Sequence, residues 1–214
     1  MLDAADAIDA DGMPIVKVSR WLTRTPVPER CVTTDFFHDA AAEAARSGLT
    51  FYLLGGREEV NRKTCEYLTL RYPGLRIVGR MNGYFSPADE PRVVADIDAL
   101  APDVLWVGLG VPLEQAFVVR NRHRLTRVGV IKTCGGLYDY IAGRVGRAPL
   151  WMQRNSLEWL YRMWQEPGRL FRRYATTNAH AAWLMLTRTG PARVTASAPL
   201  ATLKAREAAE PRRD

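Results

Sequence analysis

Residues 49–83 read LTFYLLGGREEVNRKTCEYLTLRYPGLRIVGRMNG, and this stretch decides the fold. Leu49–Leu54 is a compact apolar run closed by Gly55-Gly56, and Arg57–Tyr72 then has the pattern of a helix. A short strand follows at Leu75–Val78, ended by Gly79 and the Asn82-Gly83 turn signal. The same unit repeats downstream. Val93, Val94, Ile97 and Leu100 keep helical spacing across Pro91–Leu100, with Pro91 placed for a helix start. Val104–Gly108 is a second strong strand, Pro112–Arg124 a helix, and Val128–Thr133 a strand running into Cys134-Gly135-Gly136. Strand starts near 49, 75, 104 and 128 recur at intervals of about 25 residues, the size of βα units with right-handed crossovers. Nearly continuous apolar runs fit strands covered on both faces. The expectation is an α/β domain with a mainly parallel, Rossmann-like sheet, flanking helices and a C-terminal helical appendage.

Outward from this core the rhythm changes. After Gly136 no strand pattern remains; residues 150–165 and 168–187 read as two helices separated by Glu166-Pro167, because proline disfavours helix in the residue before it. Residues 190–214, rich in Ala, Pro and charge, read as a flexible tail. Upstream, Asp35–Ser47 is a helix with Thr34 as its cap and Gly48 as its stop. Asp11-Gly12-Met13-Pro14 opens a stretch in which Ile15, Val18 and Leu22 keep helical spacing. No convincing strand precedes it, so the α/β core (1–148) is expected to be N-terminally short. The appendage covers 149–189 and the tail 190–214.

Composition narrows the class. The chain has 214 residues, 47% of them hydrophobic, enough for one sizeable domain and unlike a disordered chain or a membrane bundle. Cys31, Cys65 and Cys134 stand far apart with no CxxC pair, which argues against a disulfide framework or a zinc site. The acidic start (Asp3, Asp6, Asp9, Asp11) is unlike a secretory leader, and no apolar run reaches membrane-helix length. A cytoplasmic protein is therefore expected. The formal charge is +7, with 26 Arg to 4 Lys, and residues 140–190 hold eight Arg against Glu158 and Glu166. Trp151, Trp159, Tyr161, Trp164, Phe171, Tyr174 and Trp183 interleave with those arginines. Solvated amphipathic helices and a phosphate-meeting surface explain this pattern about equally.

Ligands of open parallel sheets collect beyond the carboxyl ends of the strands. Four glycine turns fall there: Gly55-Gly56, Asn82-Gly83-Tyr84-Phe85, Gly108-Leu109-Gly110-Val111-Pro112 and Cys134-Gly135-Gly136. Any one alone reads as a tight βα turn; four in register point to a nucleotide-type ligand. GLGVPL lacks the third glycine of the dinucleotide fingerprint and no P-loop motif occurs, which demotes NAD redox chemistry and ATP hydrolysis. His38, His123 and His180 stand apart, and no cluster has metal-ligand spacing, so neither metal nor cofactor is expected. Asp139, just past the last strand, suits either a ribose diol or a turn. Asp11 reads first as a cap for the Pro14 helix and second as a general base.

The run GGLYDYIAGRVGRAPLWM followed by LEWLYRMWQEPGRLFRRY closely resembles the signature of the WecG/TagA/CpsF family of bacterial glycosyltransferases. The resemblance extends through FYLLGG (51–56), NGYF (82–85), GLGVPLEQ (108–115) and Asp11-Gly12. It implies an inverting, metal-independent transferase that moves a sugar from a UDP-sugar to a polyprenyl-diphosphate-linked saccharide in cell-surface polysaccharide synthesis. Such an enzyme works at the inner face of the cytoplasmic membrane. The same resemblance places the general base on Asp11, nucleotide contacts on Gly83, Tyr84 and Gln115, and a uridine contact on Asp139. Gly55, Gly56 and Gly110 complete the expected donor site, and Arg162, Arg169 and Arg172 are the expected diphosphate and acceptor contacts. Leu113 replaces the Lys of the family's G-x-P-K-Q-E, Glu114-Gln115 reverses its acid–amide order, and Asn82 stands where His is common. The family's section ahead of the Asp-Gly motif is expected to be lacking, which leaves a truncated, catalytically impaired nucleotide- or membrane-binding remnant as the alternative. Nucleic-acid binding ranks last, since the signature accounts for the same arginines.

Overall fold

The computed structural model describes residues 5–155, 157–165, 167, 168, 177, 180, 181, 183, 184 and 187. Two helices, α1 (Met13–Leu22) and α2 (Thr33–Ser47), precede β1 (Thr50–Gly55), α3 (Glu58–Arg71), β2 (Arg76–Met81) and α4 (Glu90–Leu100). Then come β3 (Val104–Gly108), α5 (Leu113–Asn121), β4 (Val130–Thr133), α6 (Leu137–Ile141), α7 (Leu150–Arg154) and α8 (Glu158–Gln165). The strands form one sheet in the order β2-β1-β3-β4, every pair parallel. The expected α/β fold is thus the observed one.

Period-2 alternation divides the core into two layers. Phe51 and Leu53 of β1 and Trp106 of β3 pack with Phe37, Ala41 and Ala44 of α2, Val60 and Leu68 of α3, and Tyr138 of α6. Tyr52, Leu54, Leu105 and Val107 point the other way, onto Val93, Val94 and Ile97 of α4 and Phe117 of α5. Trp106, fully buried, meets Phe37 edge-on at 4.5 Å between ring centroids, the geometry ring quadrupoles favour.

The chain steps from β1 outward to β2, then crosses back to β3 on the other side of β1. This reversal makes the β1/β3 boundary a topological switch point, where open α/β sheets bind ligands. Gly55 and Gly108 face each other across it. A Cβ on Gly55 would stand 2.2 Å from the Gly108 carbonyl oxygen, and φ is +130° there, so only glycine lets the strands end this close together.

Several local expectations change. Asp11 does not cap α1, and Thr34 does not cap α2: the N-caps are Gly12 and Val32, and neither helix start has a side-chain cap. Thr33, the first residue of α2, turns its hydroxyl to Asp11 instead. On α1 the buried residues are Val16 and Ser19, while Ile15 and Leu22 of the expected stripe are exposed. The single helix expected over 150–165 is two, α7 and α8. Asn155 ends α7 by donating its side-chain amide to the Trp151 carbonyl at 2.8 Å, competing with the backbone ladder. All three cysteines are free. Most of 168–187 and all of 190–214 lie outside the described residues. Among the described residues, no helix is long and apolar enough to cross a membrane.

Candidate active site

The four glycine turns meet at the carboxyl edge of the sheet and are bonded to one another. The Gly83 N–H donates to the Gly56 carbonyl at 2.8 Å, and the Gly56 N–H to the Gly108 carbonyl at 3.1 Å. Beneath them, fully buried Asn61 donates its amide to the carbonyls of Leu53, Gly55 and Met81, tying the ends of β1 and β2 together. Glu114, in the first turn of α5 and 2% exposed, accepts the N–H groups of Gly110 (3.1 Å) and Gly135 (2.9 Å) on one carboxylate oxygen. Gln115 donates to its other oxygen at 3.4 Å, while the Gln115 amide oxygen is buried without a partner. Burial pushes the Glu114 carboxyl above the ordinary glutamate range, against the pull of these donors.

Around this floor stand the other expected residues. Tyr84 projects into solvent, 74% exposed, its backbone N–H held by the Asn82 side chain. Asp139, in the first turn of α6, is half-exposed and lies 3.6 Å from the Arg144 guanidinium. Arg162, carried by α8, lays its guanidinium over the Tyr140 ring at 5.1 Å and comes within 3.6 Å of where a Gly136 Cβ would be. Its Nε is buried with no hydrogen-bond partner. Arg169 and Arg172 lie outside the described residues.

Asp11 stands in a setting the sequence did not foretell. The Thr33 hydroxyl is 3.5 Å from its carboxylate, and the Thr33 backbone N–H also bonds to it. Asp11 is exposed to solvent, yet partial desolvation by the surrounding chain raises its carboxyl above the ordinary aspartate range; the Thr33 N–H opposes this, Glu158 adds to it, and Arg30 and Lys132 oppose it. Lys132, on β4, pairs with Asp9 at 2.6 Å, and its charge favours the ionised form of both Asp11 and Glu114. Arg30 pairs with Glu158 of α8 and donates to Gln153 of α7 at 3.0 Å. Arg147 holds Asp35 of α2 and reaches the same Gln153 oxygen at 3.4 Å. These bonds seat α7 and α8 against the front of the chain, which brings Arg162 to the β4 turn. Arg30, Lys132, Gln153 and Glu158 were not singled out as site residues, because partners more than a hundred positions apart leave no spacing to read; Glu114 was not, because no local pattern shows one carboxylate serving two turns.

What this assembly offers is a partly desolvated carboxylate for proton removal, backbone amides and glycines for close approach of a phosphate, and a guanidinium with donor capacity to spare. Among the described residues no group of three or more His, Cys, Asp or Glu side chains could hold a metal ion.

A family model described as "Glycosyl transferase WecG/TagA/CpsF family" matches residues 1–193. Among curated proteins, the chain is similar to the N-acetylglucosaminyldiphosphoundecaprenol N-acetyl-beta-D-mannosaminyltransferase of Bacillus subtilis (strain 168), 31% identical over 169 residues. That match covers 79% of this chain and 64% of the relative. The protein of the same name from Bacillus spizizenii is 32% identical over the same length, with the same coverage. The chain spans just under two thirds of the length of these relatives.

Proposed function

Because the chain belongs to the WecG/TagA/CpsF family of glycosyl transferases, we propose that it transfers a sugar from a UDP-sugar to a polyprenyl-diphosphate-linked saccharide, with inversion. The names of its relatives favour N-acetylmannosamine as the sugar and N-acetylglucosaminyl-diphosphoundecaprenol as the acceptor. The observation that carries this reading is the convergence of the glycine turns at the β1/β3 switch point, with the Arg162 guanidinium of α8 beside Gly136; Asp11, bonded by Thr33 and with its carboxyl raised by desolvation, is the candidate base.

In the proposed step the acceptor hydroxyl oxygen bonds to the anomeric carbon from the face opposite UDP. The carbon–oxygen bond to the diphosphate breaks, and Asp11 takes the hydroxyl proton. UDP leaves with the bonding pair, and its growing charge is met by guanidinium groups, Arg162 first, with Arg169 and Arg172 as further donors. This charge stabilisation needs no metal ion. Gly55, Gly56, Gly83, Gly110 and Gln115 bound the diphosphate and sugar. Tyr84 and Asp139 receive the uridine.

The appendage also suits a membrane-bound acceptor. Leu150, Trp151 and Trp164 are exposed on α7 and α8, in the part of the chain that carries most of its net positive charge, a combination that rests well at an anionic headgroup layer. The proposal therefore places the protein peripherally on the inner face of the cytoplasmic membrane.

Asp11→Asn tests the assignment. Transfer should fall by about 10²–10⁴-fold, the usual contribution of a positioned base, while UDP binding measured by calorimetry stays at the wild-type value. Unchanged turnover would remove Asp11 from the mechanism.

A further inference from the structure

We propose that Glu114 is the positioning residue of the donor site: one carboxylate oxygen that holds two glycine turns, from different strands, in the shape that receives the donor diphosphate. The inference rests on the donor-site reading above and adds to it a role for a residue that the motif comparison marks only as a departure. Gly110 belongs to the turn after β3 and Gly135 to the turn after β4. Both N–H groups converge on Glu114 Oε2, at 3.1 and 2.9 Å. The carboxylate is 2% exposed, so water cannot replace it as an acceptor. Lys132 of β4 is a cation acting on it, Gln115 its polar neighbour on α5, and Cys134, just after β4, and Tyr138 of α6 are titratable groups it acts on.

A glutamine at this position keeps a carbonyl oxygen with two lone pairs, enough for both amides; an alanine keeps none. This difference separates positioning from bulk stability. The test measures amide hydrogen exchange at Gly110 and Gly135 together with UDP affinity in wild type, Glu114→Gln and Glu114→Ala, at a temperature where all are folded. Wild type should protect both amides to the same degree. In Glu114→Ala both should exchange at least about tenfold faster, and UDP affinity should fall by about tenfold, the effect of one lost charge-assisted hydrogen bond. The KM for the lipid-linked acceptor should stay within about twofold, and Glu114→Gln should restore both amide protection and UDP affinity. Wild-type UDP affinity in Glu114→Ala, or failure of Glu114→Gln to rescue, would overturn the proposal. Should the alanine variant not fold, wild type alone decides: a Gly110 amide exchanging at the free-chain rate contradicts the clamp. A folded wild type that does not bind UDP defeats the donor-site reading instead, and the exchange data still report on the clamp.

Discussion

Buried Glu114 and solvent-exposed Asp11 are both carboxyl groups raised above their ordinary pKa, with desolvation the largest cause in each, and acid affects them in opposite senses. A base must be ionised to act, so the acidic limb of the kcat/KM profile should lie above the 3.8 of a free aspartate. Lys132→Met removes a charge that favours ionisation and should move that limb to higher pH, as read from a pH series with saturating acceptor. For Glu114 the consequence is stability. Its folded pKa is raised, so its stabilising contribution is complete below the ordinary 4.5 and is lost as pH rises through the folded value. Glu114→Gln lacks this dependence, so its urea midpoint should improve relative to wild type between pH 4 and pH 7; a constant difference would contradict the linkage. The two residues also differ in legibility. Asp11 was visible because Asp-Gly before a proline-started helix is a local pattern, although that pattern suggested a cap. Glu114 was noted only as a departure from a motif, since nothing local shows that its carboxylate spans two turns.

Elements were readable where a local rule governs them. The strands of a doubly covered parallel sheet must be apolar on both faces, and LTFYLL and VLWVG state this directly. The switch-point glycines were readable as turns but not as a packing constraint. Gly55→Ala would bring a Cβ 2.2 Å from the Gly108 carbonyl in a left-handed conformation, and should cost about 3 kcal/mol or more in urea denaturation. The docking of α7 and α8 was not readable, because it depends on Arg30–Glu158 and on Gln153 shared between Arg30 and Arg147. Arg30→Ala should lower stability by about 1–2 kcal/mol, discounted because Glu158 keeps solvent contact. It should also make the region after Ala148 more susceptible to limited proteolysis. An unchanged cleavage pattern would show that the ion pair does not seat the appendage.

For the molecule as a whole, the charge gains a location. Of a formal +7, nearly all falls in residues 140–190, whose described part stands beside the proposed catalytic carboxylate. Binding to vesicles should therefore increase with anionic lipid content and weaken as salt shortens the screening length; equal binding to zwitterionic vesicles would contradict the headgroup role. Fold and family were legible because repeated βα units and a long C-terminal signature are carried by contiguous sequence. The gathering of front, sheet edge and appendage around the proposed site was not, because it is made of single contacts between distant residues. Whether that site transfers sugar is decided most directly by incubating wild type and Asp11→Asn with a panel of UDP-sugars and N-acetylglucosaminyl-diphosphoundecaprenol, and following lipid-linked disaccharide by mass spectrometry. Wild type should form one disaccharide product with release of UDP, and Asp11→Asn should form almost none while binding UDP normally. Equal product from both proteins, or none from wild type with any donor, would contradict the proposed function.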